Sequence, residues 1–147
     1  MLMKAHENIL VFYKKLPIYK PQYGNGKPYS NSHKPGDSGD NYGTVGYSEV
    51  HNVMTRYPRS VIRFDVDAKA EYHPTQKPVA LFEYLIKTYT NPGELVLDNC
   101  MGSGTTGVAC QHLNRNFIGM ELNEEYFKIA EKRINNANMQ IQSELPF

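Results

Sequence analysis

Asp98, Gly102, Ser103, Gly104, Thr105, Thr106 and Glu121 are the residues whose types and spacing point to chemistry. Asp98 closes the apolar run of residues 95–97 and opens a glycine-rich turn, the pattern of a buried strand that ends against a ligand. Glycine belongs where a backbone must curl tightly and approach a bound molecule, because a Cβ would stand in the way. A helix starting near Thr105 would aim its free N–H groups back at that turn. A second short strand, residues 117–120, leads to Glu121, an acid placed to accept from a ribose diol.

The turn defines a nucleotide-like site without settling the ligand. A Walker loop needs a lysine before the hydroxyl residue, and Gly104-Thr105-Thr106 has none. A G-x-G-x-x-G spacing fits Gly102, Gly104 and Gly107. An adenosine cofactor without phosphates, such as S-adenosylmethionine, makes the same demands for close backbone approach and a ribose acid.

Several elements must hold these residues in place. Pro78 suits a first helical turn, and Val79, Leu81, Phe82, Leu85, Ile86 and Tyr89 recur at helical spacing, with Phe82, Leu85 and Tyr89 as the expected buried face. Asn91-Pro92-Gly93 ends that helix and launches the strand that carries Asp98. The glycine-turn helix is expected over residues 105–113. Asn123 is the expected N-cap of a last helix, with Glu124 and Glu125 at its positive end and Lys132 and Arg133 late, near its negative end. After Asn135 the tail reads as frayed. Residues 9–13 and 60–64 read as strands, the first as a core strand. Residues 17–58, rich in Gly, Pro, Asn and Ser, show little periodicity beyond a short extended piece at 43–50. Their tyrosines are interleaved with cations, as on a nucleic-acid surface.

Composition sets outer bounds. At 147 residues and net charge +1 there is room for one domain. Residues 1–60 hold eight Lys/Arg against four acids and residues 61–147 eight against eleven, so the positive half precedes the cofactor-like half. Two cysteines do not make a secreted disulfide framework, no apolar run is long enough to span a membrane, and no Cys/His group has metal spacing. The default expectation is a cytoplasmic protein without a metal or a membrane partner.

With His73-Pro74-Thr75-Gln76-Lys77-Pro78, Asp98 to Thr106 and Glu121 in order, the sequence resembles the DNA methyltransferases that modify an exocyclic amino group of adenine or cytosine. More narrowly, it resembles the C-terminal portion of the permuted subgroup in which the cofactor motifs come last. Where that family commonly has proline and phenylalanine after the first acid, this chain has Asn99-Cys100. The resemblance implies an α/β, partial Rossmann-like fold. Residues 1–13 would give a core strand, 14–60 a target-recognition insertion, 61–137 a cofactor-binding βαβα region and 138–147 a tail. It implies S-adenosyl-L-methionine as cofactor. Asp98 and the backbone of residues 102–104, Ser103 included, would hold its methionine end and Glu121 its ribose. Thr105 and Thr106 would meet its carboxylate, and His73, Thr75 and Lys77 would form the adjoining wall. Met120 is a candidate to pack on adenine. Tyr23, Lys27, Tyr29, Lys34, Arg56 and Arg59 would contact double-stranded DNA.

The family's catalytic segment, a polar residue followed by two prolines and an aromatic ring, has no counterpart, since no Pro-Pro pair occurs. No catalytic residue is therefore assigned. The implied activity, methylation in a restriction-modification setting with adenine favoured over cytosine by family prevalence, would need the missing catalytic half to be supplied; the expected partners are double-stranded DNA and a separately encoded catalytic half or a homo-oligomer. Without either, the chain is a DNA-binding or accessory remnant. A small-molecule methyltransferase would leave the basic, tyrosine-rich insertion unexplained.

Overall fold

The computed structural model describes residues 7–33, 48–65, 72 and 76–144. In chain order the elements are β1 (Gly24–His33), β2 (Ser48–Arg56), α1 (Val79–Tyr89), β3 (Leu95–Asp98), α2 (Thr105–His112), β4 (Asn116–Gly119) and α3 (Glu124–Glu144). They divide between two units, Pro21–Arg63, and Met1–Lys20 together with Phe64–Phe147.

The smaller unit is an antiparallel hairpin of β1 and β2. The expectation of little regular structure here is corrected. Its polar strands carry no clean alternation, and Pro28, which cannot donate to a ladder, lies where the register shifts between Asn25 and Tyr29. Residues 43–47 of the expected extended piece lie outside the described residues, while Ser48 to Val50 fall within β2.

In the larger unit β3 and β4 run parallel, Val96 opposite Phe117 and Asp98 opposite Gly119, with α2 as the crossover between them. Parallel strands need such a crossover, and the short glycine turn provides its entry. One face of the pair packs inward: Val96 and Phe117 join Val79, Phe82 and Leu113 around buried Ile86, Ala109 and Cys110. On the other face Leu95, Leu97 and Ile118 are exposed. The entry to both strands is tied by backbone hydrogen bonds from Gly93 N–H to the Asn114 carbonyl (2.7 Å) and from Asn116 N–H to the Glu94 carbonyl (2.9 Å).

Of the expected inward face of α1, Phe82 packs against the core, but the fully buried positions lie elsewhere. Ile86 and Thr88 are buried, while Phe82, Leu85 and Tyr89 are half-buried. Thr88 enters the interior because its hydroxyl donates to the Tyr84 carbonyl (2.7 Å), leaving no unpaired polar atom there. Residues 9–13 are not a strand, and Leu10 and Phe12 are 72% and 87% exposed. A β-rich run becomes a strand only against a ladder partner, and among the described residues β3 and β4 pair with each other alone. Further along the chain, Lys20 N–H donates to the Thr88 carbonyl (2.8 Å) and Tyr19 lies against Tyr89, which ties residues 19 and 20 to α1. Residues 60–64 likewise form no strand. Nor is the tail frayed at 135, because α3 continues to Glu144. Extending an existing helix is far easier than starting one, and Ala137 is buried along the same side as Ala130.

Candidate functional site

The carboxyl ends of β3 and β4 meet the glycine turn, and the chemistry-bearing side chains gather there. Asp98 ends β3 and organises the turn beyond it. One carboxylate oxygen accepts from Cys100 N–H (3.1 Å) and the other from the Thr106 hydroxyl (2.6 Å), so a single acid fixes both the turn and the first turn of α2. Gly104 is the N-cap of α2 with φ of 78°, and its N–H donates to the Met101 carbonyl (2.8 Å). Past β4, Met120 N–H donates to the Asp98 carbonyl and Met101 N–H to the Met120 carbonyl, both at 2.9 Å. That pairing carries Glu121 to the turn, where its carboxylate accepts from Gly102 N–H and from Asn123 N–H, each at 2.9 Å.

Between these groups and α1 lies a pocket of about 120 Å³. Lys77, Asp98, Gly102, Ser103, Thr105 and Thr106, all singled out from sequence, line it. Gly104 completes the turn, and Glu121 sits beside the lining, joined to it through Gly102. His73 and Thr75 lie outside the described residues. Gln76, Cys100, Met101 and Phe82 also line the pocket and carry no sequence-level role. Gln76 is legible from its place between Thr75 and Lys77, whereas the spacing of Phe82 marks it only as helix core. Met120 is exposed rather than packed into the strand pair.

The hydrogen bonds sort the two threonines. Thr106 directs its one proton to Asp98 and keeps only acceptor capacity, so it cannot also donate to a carboxylate. Thr105 receives a long contact from Arg133 (3.4 Å), which leaves its own proton available for an anion. Lys77 pairs with Glu7 at 2.9 Å, and with both side chains well exposed this contact is weak enough to exchange for a ligand.

The two cysteines differ in kind. Burial pushes the Cys110 thiol up to about 11, with Arg115 opposing and Asp98 reinforcing the shift. Cys100 is exposed and lines the pocket. At about pH 8, iodoacetamide is expected to alkylate Cys100 and spare Cys110 in the folded protein, read by peptide mass spectrometry. Equal labelling would contradict the buried environment of Cys110.

On the hairpin unit, Tyr23 stacks edge-on against Tyr57 with centroids 4.8 Å apart, and both rings are exposed. Lys27 and Arg59 are exposed as well, and Lys34 lies outside the described residues. Arg56 behaves differently from an outward cation. Its guanidinium covers the Tyr29 ring at 4.2 Å and donates to the carbonyls of Lys27, Val53 and Thr55, which makes it a brace across the two strands. Among the described residues, no group of three or more His, Cys, Asp or Glu has the arrangement to hold a metal, and no helix is long and apolar enough to cross a membrane.

A family model described as DNA methylase matches residues 2–132. The chain belongs to the DNA methylase family. Its α/β architecture is accordingly that of the Rossmann-like S-adenosylmethionine-dependent methyltransferases. The DNA adenine methyltransferase YhdJ of Escherichia coli K12 is 35% identical over 95% of this chain and 38% of its own length. The type II methyltransferase M.HpaI of Haemophilus parainfluenzae is 39% identical over 61% of this chain and 30% of its own. Among solved structures, an M1.HpyAVI–SAM complex is 51% identical over 51% of this chain and 37% of that one, with a TM-score of 0.46. The methylase chain thus spans well under half the length of these relatives.

Proposed function

We propose that this chain binds S-adenosyl-L-methionine in the glycine-turn pocket and supplies cofactor binding and target recognition for methylation of an exocyclic amino group in DNA. The observation that carries the reading is the pairing of opposite charges in one small site. Asp98 offers a carboxylate to an ammonium group, while Lys77 and the Thr105 hydroxyl offer donors to a carboxylate. A zwitterionic amino-acid end answers both. Glu121, held beyond Gly102, then stands where a ribose diol would come next. When bound, the cofactor supplies an activated methyl group on a sulfonium; the part of these residues is to orient it and to shield it from water.

Double-stranded DNA is the proposed substrate and the cytoplasm the proposed site of action. On the hairpin unit, Tyr23, Lys27, Tyr29 and Arg59, with Lys34, would meet bases and phosphates. Arg56 would act there by holding Tyr29 in place. Adenine is the favoured target, supported by the extent of the match to YhdJ, which is named as an adenine methyltransferase and aligns with nearly all of this chain. The 147 residues contain no Pro-Pro pair, so the segment that grips a flipped base would come from other sequence, contiguous or separately encoded. The exposed apolar face of Leu95, Leu97 and Ile118 gives such a complement a surface to cover.

Titration calorimetry with S-adenosylmethionine, combined with a tritiated-methyl transfer assay on DNA, tests the reading. Micromolar binding is expected from the chain alone, and methyl incorporation only once a catalytic segment is supplied. Binding of cofactor and DNA with no transfer under any complementation would leave an accessory remnant. A folded chain that ignores the cofactor would end the proposal.

A further inference from the structure

The residue that ties the pocket's two walls together is Arg133, on α3, outside every segment to which a ligand role has been given. One terminal nitrogen of its guanidinium donates to the Ser103 carbonyl (2.5 Å) and the Ser103 hydroxyl (2.9 Å), with Thr105 Oγ1 at 3.4 Å. Its carbon lies over the Tyr72 ring, 4.9 Å from the centroid. The Ser103 hydroxyl donates onward to Gln76 Oε1 (3.2 Å). Tyr72 directly precedes the His73 to Pro78 run and Gln76 lies within it, so one side chain joins α3, the glycine turn and the wall that carries Lys77.

We infer that Arg133 is a positioning residue of the pocket, which locks the Ser103–Gly104 peptide in the one orientation that accepts the amino-acid end of the cofactor. The lock has two ends. Arg133 holds the carbonyl of that peptide, while the Met101 carbonyl holds its N–H (2.8 Å). Glycine visits positive and negative φ with similar ease, so a peptide ending in Gly104 can flip unless both ends are held. Ser103 is 3% exposed, so its carbonyl and hydroxyl have little water to turn to in place of the guanidinium. A planar fork that donates while its face stacks on an aromatic ring is particular to arginine, and a lysine supplies a point charge without it.

The ligand assignment rests on the proposed cofactor, and the test separates the two. Arg133→Lys and Tyr72→Leu are compared with wild type, after thermal melting shows each to be folded. In the ligand-free protein, amide hydrogen exchange at positions 103–106 is expected to speed up while exchange along α3 stays unchanged. By calorimetry, S-adenosylhomocysteine is expected to bind ~10-fold more weakly, as the peptide that receives its amino-acid end is held less firmly before binding. 5′-Methylthioadenosine, which lacks the amino-acid end, is expected to bind unchanged. Unaltered exchange at the turn, or equal weakening of both ligands, overturns the inference. Should wild type bind neither ligand, the cofactor reading falls, and the exchange data still decide whether Arg133 sets the turn.

Discussion

Gly104→Ala is expected to destabilise the larger unit by about 2–5 kcal/mol, a large fraction of the roughly 5–15 kcal/mol that holds an ordinary domain together. Two effects add. At φ of +78° an added Cβ costs about 1–2 kcal/mol through its clash with the neighbouring carbonyl. The same Cβ would also stand 2.8 Å from the Ala130 Cβ and 2.9 Å from the Ala130 Cα. Backbone of a packed helix cannot give way as a flexible side-chain tip can, so α2 and α3 would have to separate, an overpacking of about 1–3 kcal/mol. Gly93→Ala isolates the first effect, since Gly93 has φ of +82° and nothing within 4 Å of an added Cβ. Urea unfolding monitored by far-UV circular dichroism should show Gly104→Ala as clearly the worse of the two. Equal losses would mean that α3 does not press on the turn.

The same contact explains why some of this fold is legible in sequence and some is not. β3, the turn, α2 and β4 depend on neighbours in the chain: an apolar run, an acid, glycines at positive φ, then helix formers. Their limits lie within a residue of expectation. Residues 9–13 have equally strong strand composition, yet strand formation needs a distant ladder, and composition does not report whether one is present. The hairpin hides for the opposite reason, since Pro28, its glycines and its register shifts erase the alternation that marks a strand. At the site, Asp98 and Glu121 stand out as acids at strand ends. Arg133 does not. With the last helix expected to stop near Asn135, it reads as a cation near the helix's negative end. In the structure α3 runs nine residues beyond that point, to Glu144, so Arg133 lies mid-helix and faces Ser103. Its role depends on a contact across thirty residues of sequence, which no local pattern announces.

If Glu121 holds the ribose as proposed, Glu121→Ala is expected to weaken S-adenosylmethionine binding by ~100-fold, the loss of two charge-assisted hydrogen bonds of about 1.5 kcal/mol each. An ionised carboxylate has about four lone-pair directions, and the bonds it accepts from Gly102 and Asn123 N–H use two of them. Those bonds hold the carboxylate still before any ligand arrives, which lowers the ordering cost of binding. The alanine variant also frees Gly102 N–H, and some of its loss would come from a looser turn. Glu121→Gln separates the two contributions. Its amide keeps one acceptor oxygen, which suffices for Gly102, while the charge and the second acceptor are gone, so an intermediate loss of ~10-fold is expected with little change in melting temperature. A ligand that lacks the ribose hydroxyls should bind wild type and Glu121→Gln with similar weakness, because the missing interaction is then absent from both complexes, and Glu121→Ala weaker only by the looser turn. If the variants instead lose that ligand as steeply as the intact cofactor, Glu121 serves the turn alone and the ribose lies elsewhere.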